Sequence, residues 1–181
     1  MIGLAERLVK HLALWIAQGF GLGRIPVAPG TFGSLAGLAW FAVLVSWADP
    51  YVFTVGLILS VGLSIWLTAL AENLLCEKDP GSVVLDEIVA MPACFLAWAI
   101  HFSSQKGYWP GLEIFFNSKR LILTFGVVAA FRLFDVLKPW PVNWSQNLPG
   151  GFGVTLDDLL AALYVNVCVV AVCLIKPEWF L

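Results

Sequence analysis

The acidic residues of this chain concentrate at the ends of apolar runs. Asp86 and Glu87 stand where DPGSVVLDE passes into IVAMPACFLAW, and Asp135 lies in FRLFDVLKPWP near the end of another run. Asp157 and Asp158 follow GGFGVTL, just before the last run. Several carboxylates without a His or Cys beside them are the ligand set of a hard cation such as Mg²⁺, not of zinc. These five acids therefore predict a magnesium site, and Mg²⁺ in turn suggests a phosphate substrate.

Each acid also has a purely structural interpretation. Asp86 and Glu87 can simply complement the dipole at a helix N-terminus. Asp135 can pair with Arg132, three residues earlier on the same helical face. However, an acid at a helix C-terminus opposes the dipole, and ionisable groups in or beside a bilayer usually mark a functional site. Adjacent helical residues point about 100° apart, so we expect one of the last two acids to face the bundle and the other to be solvated or to cap the helix.

Three further positions suggest phosphate binding. Arg132 and Lys138 can neutralise phosphoryl oxygens. The PGTFGS turn, which contains Thr31, can direct backbone N–H groups at an anion where a helix begins. A second interpretation of Lys138 stays open, because the KPWP sequence that it starts is also typical of an anchor at the membrane boundary.

The composition is that of a membrane protein. The chain has 181 residues, enough for a single domain over 1–181, of which 60% are hydrophobic and 12% charged. The mean hydropathy is +0.89. The net charge of -2 and the lack of Lys/Arg clusters argue against nucleic acid as a partner. The four cysteines lie in or near apolar runs without metal-ligand spacing, so we expect them to be small buried side chains.

The hydrophobic pattern predicts an all-α, polytopic membrane bundle. Residues 2–18 place Leu4, Leu8, Leu12, Trp15 and Ile16 at helical spacing, which is typical of an interfacial helix. The Gly- and Pro-rich segment 19–33 predicts a structured loop, with helix resuming near Ser34. About five spans follow, several of them shorter than the ~20 residues that cross a bilayer; they cover roughly 34–48, 51–71, 88–102, 121–137 and 159–175.

Counting the crossings places the acids on one side of the membrane. If all five runs span, the loops 19–33, 72–87 and 135–158 share a side with these acids. Six Lys and Arg residues lie on that side and four on the other, so the positive-inside rule weakly favours a cytoplasmic active face. The six are Arg7, Lys10, Arg24, Lys78, Arg132 and Lys138, and the four are Lys106, Lys119, Arg120 and Lys176.

Three long blocks resemble the bacterial phosphatidylglycerophosphatase A family. They are GFGLGRIPVAPGTFGSLAG (19–37), DPGSVVLDEIVAMP (79–92) and, within 131–163, FRLFDVLKPWPVNW with GGFGVTLDDLLAAL. The resemblance implies a Mg²⁺-dependent enzyme of the bacterial inner membrane that releases phosphate from phosphatidylglycerophosphate to give phosphatidylglycerol. It places all five acids, and Asp79 as well, at the family's acidic positions. The segment 103–120 matches less well.

The expected mechanism is in-line attack of water on a metal-bridged phosphate. Catalytic roles are expected for Asp86, Glu87, Asp135 and Asp158, with acids beyond the metal ligands acting as general base and leaving-group acid. A phospho-aspartate intermediate stays open, as do the number of metals and the oligomeric state. The alternative function is a cation-binding component of a membrane transporter that uses the same acids, although such acids should lie at mid-span. The DG…AR…G…D…D pattern of CDP-alcohol phosphotransferases is absent.

Overall fold

The computed structural model describes residues 3–181, without the side chains of Leu4 and Ala5. In this part of the chain the regular structure is helical and contains no strand, which confirms the predicted all-α bundle. The helices are α1 Leu4–Ala17, α2 Pro29–Val45, α3 Pro50–Leu75, α4 Leu85–Cys94, α5 Leu96–Lys106, α6 Leu112–Phe116, α7 Leu121–Leu137, α8 Val142–Ser145 and α9 Gly151–Ile175.

Three helical stretches are long and apolar enough to cross a membrane. They are α3 with 26 residues, α4 and α5 together with 22, and α9 with 25. The two other expected spans, α2 and α7, have 17 residues each. A 17-residue helix is about 26 Å long, which is less than the ~30 Å of hydrocarbon. The bundle therefore combines long spans with short ones, as predicted.

Two helices begin earlier than the sequence predicts. Helix α2 starts at Pro29, not near Ser34, and α9 starts at Gly151, so the supposed glycine loop forms its first turns. The cause is close packing. A Cβ on Gly37 would lie 2.6 Å from Met91 Cβ in α4, and one on Gly151 would overlap the Ile65 carbonyl oxygen in α3. These glycines allow helices to touch, and that contact outweighs their ~1 kcal/mol helix penalty.

Helix α1 covers the bundle with one face and leaves the other exposed. Ala13 and Ala17 are buried in an apolar cluster with residues of α3 and α4. Leu8 and Trp15 are 56% and 45% exposed. The predicted interfacial helix is thus present from residue 4, while residue 2 and the Leu4 side chain lie outside the part that the structure describes. The exposed apolar face is suited to lipid contact.

An asparagine in α9 joins this helix to the break between α4 and α5. Pro92 lies inside α4, and the helix is interrupted at Phe95. Asn166 donates to the Ala93 carbonyl oxygen at 2.8 Å and accepts from the Ala97 amide at 2.7 Å. Backbone groups in an apolar interior need hydrogen-bond partners. Asn166 supplies partners for the backbone groups at the break and fixes α4 against α9. These are the two helices that carry most of the acids.

Aromatic residues fill the end of the bundle opposite the acids. The rings of Phe41 and Phe95 stack with centroids 4.0 Å apart, and Phe115 packs edge-on against both. Trp98 donates its Nε1 hydrogen to the Phe180 carbonyl oxygen at 3.0 Å. The polar groups therefore lie at the other end of the bundle.

The cysteine prediction is wrong for two of the four residues. Cys94 and Cys173 are buried as expected, whereas Cys76 and Cys168 are exposed. Cys76 ends α3 in a left-handed conformation. Cys168 lies on the outer face of α9, where an apolar residue can contact lipid as well as a protein core.

Candidate active site

Three acids, two of them buried and one half-buried, converge near the starts of α4 and α9. Asp86 and Glu87 stand in the first turn of α4, and Asp158 stands in the third turn of α9. One carboxylate oxygen from each lies within 4.8 Å of the others. Asp86 and Asp158 are only 6% and 3% exposed. We call these three residues the acid triad.

The triad has oxygen atoms without partners. Glu87 Oε2 and Asp158 Oδ2 are buried, and no described residue donates a hydrogen bond to them. Burying an ionised carboxylate without a partner is costly, so such groups are normally paired or bind a metal. An all-oxygen set without His or Cys fits a hard cation such as Mg²⁺. The donor chemistry and the orphaned oxygens therefore fit the expected metal.

Arg132 connects the triad to a fourth acid. Its Nη1 atom lies 2.6 Å from Asp135 Oδ2 and 3.6 Å from Glu87 Oε1. The local Arg132–Asp135 pair considered above is present, and the contact with Glu87 extends it to another helix. Gly30 of α2 covers this group closely, because a Cβ there would lie 2.8 Å from both terminal nitrogens of Arg132.

Lys138 and Gln146 hold the fifth acid. Lys138 Nζ lies 2.6 Å from Asp157 Oδ2, and Gln146 Nε2 donates to the same oxygen at 3.1 Å. Burial alone would lower the pKa of Lys138, but the hydrogen bond and the charge of Asp157 raise that pKa above its ordinary value. Gln146 Nε2 also donates to Asp79 Oδ2 at 3.3 Å.

The expectation that one of the two adjacent acids is solvated or caps the helix is wrong, because no described side chain caps the start of α9 and both acids are buried. Asp157 and Asp158 are both 3% exposed. The early start of α9 places them inside the bundle, where α4 packs on one side and α7 and α8 on another. Asp158 joins the triad, and Asp157 turns to Lys138. Lys138 therefore has a buried partner, while the anchoring position is left to Trp140 and Trp144, which are 76% and 57% exposed.

The five acids and Lys138, but not Arg132 or Gln146, border one open cavity of about 260 Å³, here called the acid cavity. It has room for a phosphoryl group and several waters. Its charged lining comprises Asp79, Asp86, Glu87, Asp135, Lys138, Asp157 and Asp158. Such an excess of carboxylates attracts cations, and it can receive a phosphate only if cations offset the charge.

The structure does not bring Thr31 into the acid cavity. Its side chain is exposed on the first turn of α2, and its N–H donates to the Ala28 carbonyl oxygen at 2.9 Å. Two residues at the site were not predicted. Gln146 lies in an ordinary loop sequence that gives no signal, while Gly30 was marked by the PGT motif but assigned to anion binding and not to helix packing.

The family model and two of the curated relatives point to one family. The family model described as Phosphatidylglycerophosphatase A matches residues 15–173. Relatives of that name in Haemophilus influenzae and Escherichia coli are 34% and 28% identical, covering 87% and 88% of this chain and 86% and 84% of their own. A Bacteroides thetaiotaomicron protein, named provisionally as a phosphatidylinositol-3-phosphatase, is 34% identical over 86% of this chain and 89% of its own. No solved structure matches. The chain belongs to the phosphatidylglycerophosphatase A family.

Proposed function

We propose that this chain hydrolyses the phosphomonoester of phosphatidylglycerophosphate, giving phosphatidylglycerol and inorganic phosphate, with Mg²⁺ as cofactor. Its family supplies the reaction class, that of a phosphoric monoester hydrolase. The observation that carries the proposal is the acid triad, which has two buried oxygens without partners and lines a cavity large enough for a phosphoryl group. Both features suit a metal-assisted phosphatase.

The triad residues Asp86, Glu87 and Asp158 would hold the Mg²⁺. When bound, the ion neutralises charge on phosphoryl oxygens and lowers the pKa of water. Asp135 and Asp157 were also expected as ligands, but each is already paired with a cationic side chain. We therefore assign Asp157 first to holding Lys138 at the cavity wall, and Asp135 to holding Arg132 next to the acids that line the cavity.

Arg132 and Lys138 would bind the phosphoryl oxygens. A guanidinium has five N–H donors and an ammonium has three, so each keeps donors beyond the bond to its acid. Glu87 and Asp135 hold Arg132 in place, and Asp157 holds Lys138. Because the lysine stays protonated, it can meet the phosphate as a cation. Asp135, which is partly exposed beside the triad, is the candidate to accept the proton of the attacking water.

The position of the acid cavity suits a lipid head group. The cavity lies where α4 and α9 begin and α7 ends, so a phosphate at the bilayer surface can enter without crossing the hydrocarbon. A transporter would need cation sites along a pathway through the spans. We propose that this end faces the cytoplasm of a bacterial inner membrane, which the six-to-four distribution of basic residues supports.

Phosphate release from a panel of lipids tests the proposal. The purified chain in lipid nanodiscs is given phosphatidylglycerophosphate, phosphatidylinositol 3-phosphate or phosphatidic acid, with Mg²⁺ or with a chelator. We expect release from the first lipid to be fastest and to stop with the chelator. If no lipid phosphate is hydrolysed while proteoliposomes take up Mg²⁺, the chain is a transporter component and the proposal is wrong.

A further inference from the structure

A second cavity adjoins the acid cavity. Its volume is about 280 Å³, and Asp79 lines both cavities. Gln146 stands at the boundary, because its amide nitrogen donates to Asp79 on one side and to Asp157 on the other. A molecule whose phosphate lies in the acid cavity can therefore extend past Asp79 into this second space.

The lining of the second cavity is chemically different from that of the acid cavity. It carries three side-chain amides, from Asn143, Gln146 and Asn147, with one ammonium from Lys78. Asn147 uses its Nδ2 to donate to the Trp144 carbonyl oxygen at 3.1 Å, and its own carbonyl oxygen remains available as an acceptor. Among residues 3–181, no partner satisfies the Asn143 amide. Amides donate and accept together, which is what alcohol hydroxyl groups require.

We propose that the second cavity is a subsite for the hydroxyl-bearing alcohol that carries the phosphate, and that Asn143 and Asn147 determine which head groups are accepted. The inference rests on the proposed lipid phosphatase activity and extends it to the leaving group. For phosphatidylglycerophosphate, the ligand is the bridging glycerol with its free hydroxyl. Lys78 then lies where it can face the phosphodiester on the far side of that glycerol.

The position of the second cavity allows binding of the alcohol to be separated from the hydrolysis step. Asn143 and Asn147 are exposed, and their amides make no hydrogen bond to the triad residues, so they can hold the alcohol without changing the metal site. Gln146 does contact Asp157, and it would influence both. Asn143 and Asn147 are therefore the specific probes of the subsite.

The test compares two substrates that differ in one hydroxyl. One is phosphatidylglycerophosphate, and the other is its analogue in which the free glycerol hydroxyl is replaced by hydrogen. We expect the wild type to prefer the hydroxylated lipid about fivefold or more in kcat/KM, since one neutral hydrogen bond accounts for roughly two- to tenfold. Asn143→Ala and Asn147→Ala should each reduce this preference and leave hydrolysis of the analogue within twofold.

Asn73→Ala is the matched control, because Asn73 is exposed on α3 and bonds only its own helix, at the Ala69 carbonyl oxygen. It should keep the wild-type preference. The subsite is refuted if the active wild type hydrolyses both lipids equally, or if the two variants lower both rates to the same extent. If the wild type hydrolyses neither lipid with Mg²⁺ present, the proposed function itself fails, and the subsite fails with it.

Discussion

The Lys138–Asp157 pair offers a quantitative test of how the site is held together. Lys138→Met removes the charge and keeps the chain length, and Asp157→Asn removes the charge and keeps the shape. The side chains are 28% and 4% exposed, with 2.6 Å between Nζ and Oδ2. Breaking a fully buried pair costs ~3–5 kcal/mol, while an exposed pair contributes ~0.2–1 kcal/mol.

The loss of stability expected on breaking the Lys138–Asp157 pair lies between these limits. Lys138 is partly solvated, and Gln146 would still donate to the remaining carboxylate. We therefore expect Lys138→Met to lower the free energy of unfolding by ~1–3 kcal/mol, with a coupling of ~1–2 kcal/mol in the double-mutant cycle. The assay is reversible unfolding in mixed detergent micelles, followed by tryptophan fluorescence.

Lys119→Met controls for the loss of a lysine, because Lys119 is exposed near the start of α7, at the opposite end of the bundle. It should change the free energy of unfolding by less than ~0.5 kcal/mol. The reasoning is refuted if Lys138→Met changes the free energy of unfolding as little as Lys119→Met does. It is also refuted if the effects of Lys138→Met and Asp157→Asn on that free energy simply add, because the pair then does not stabilise the site.

Three further predictions test the packing, the chemistry and the topology. Gly37→Ala should destabilise the chain by ~1–3 kcal/mol in the same unfolding assay, because the new methyl group overpacks against α4. Asp135→Asn should lower kcat/KM for phosphate release about a hundredfold or more while the protein stays folded, because the candidate general base and a charge-assisted bond to Arg132 are both lost. Gly81→Cys and Gln105→Cys, after Cys76 and Cys168 are changed to Ser, should react with an impermeant maleimide from opposite sides of the membrane.

Each of these has a clear contrary result. Gly62→Ala is the control for the first, since nothing lies within 4 Å of a Cβ at Gly62; equal effects of both alanines would rule out the proposed close packing. Near-normal turnover by the Asp135 variant would remove that acid from the mechanism. Labelling of both cysteines from one side would overturn the topology.

The sequence predicted the convergence of the acids because their positions follow from simple rules. Asp86 and Asp158 stand near the starts of apolar runs, and Asp135 stands near the end of one. When antiparallel spans alternate, such ends meet on one side of the membrane. This alternation places the carboxylates on one side of the membrane, and the packing of α4 against α9 brings Asp86, Glu87 and Asp158 together.

The partners of these acids could not be predicted in the same way. Lys138 and Asp157 are 19 residues apart and separated by a loop, and no periodicity relates them. The start of α9 at Gly151 decides that Asp157 points inward, and local propensity favours a loop there. The segment is helical because its glycines have no Cβ, so their backbone can pack directly against neighbouring residues.

Phosphate release measured against Mg²⁺ concentration, for the wild type and Asp158→Asn side by side, tests the central claim most directly. Asp158 is buried, and its Oδ2 atom has no partner among the described residues, so the amide should fit the space but weaken the ion's site. The wild type should hydrolyse phosphatidylglycerophosphate with a saturable requirement for Mg²⁺. The folded variant should lose at least a hundredfold in kcat/KM or need far more Mg²⁺. Activity of the wild type that is indifferent to Mg²⁺, or a variant with the wild-type Mg²⁺ dependence, would contradict a magnesium site at the acid triad.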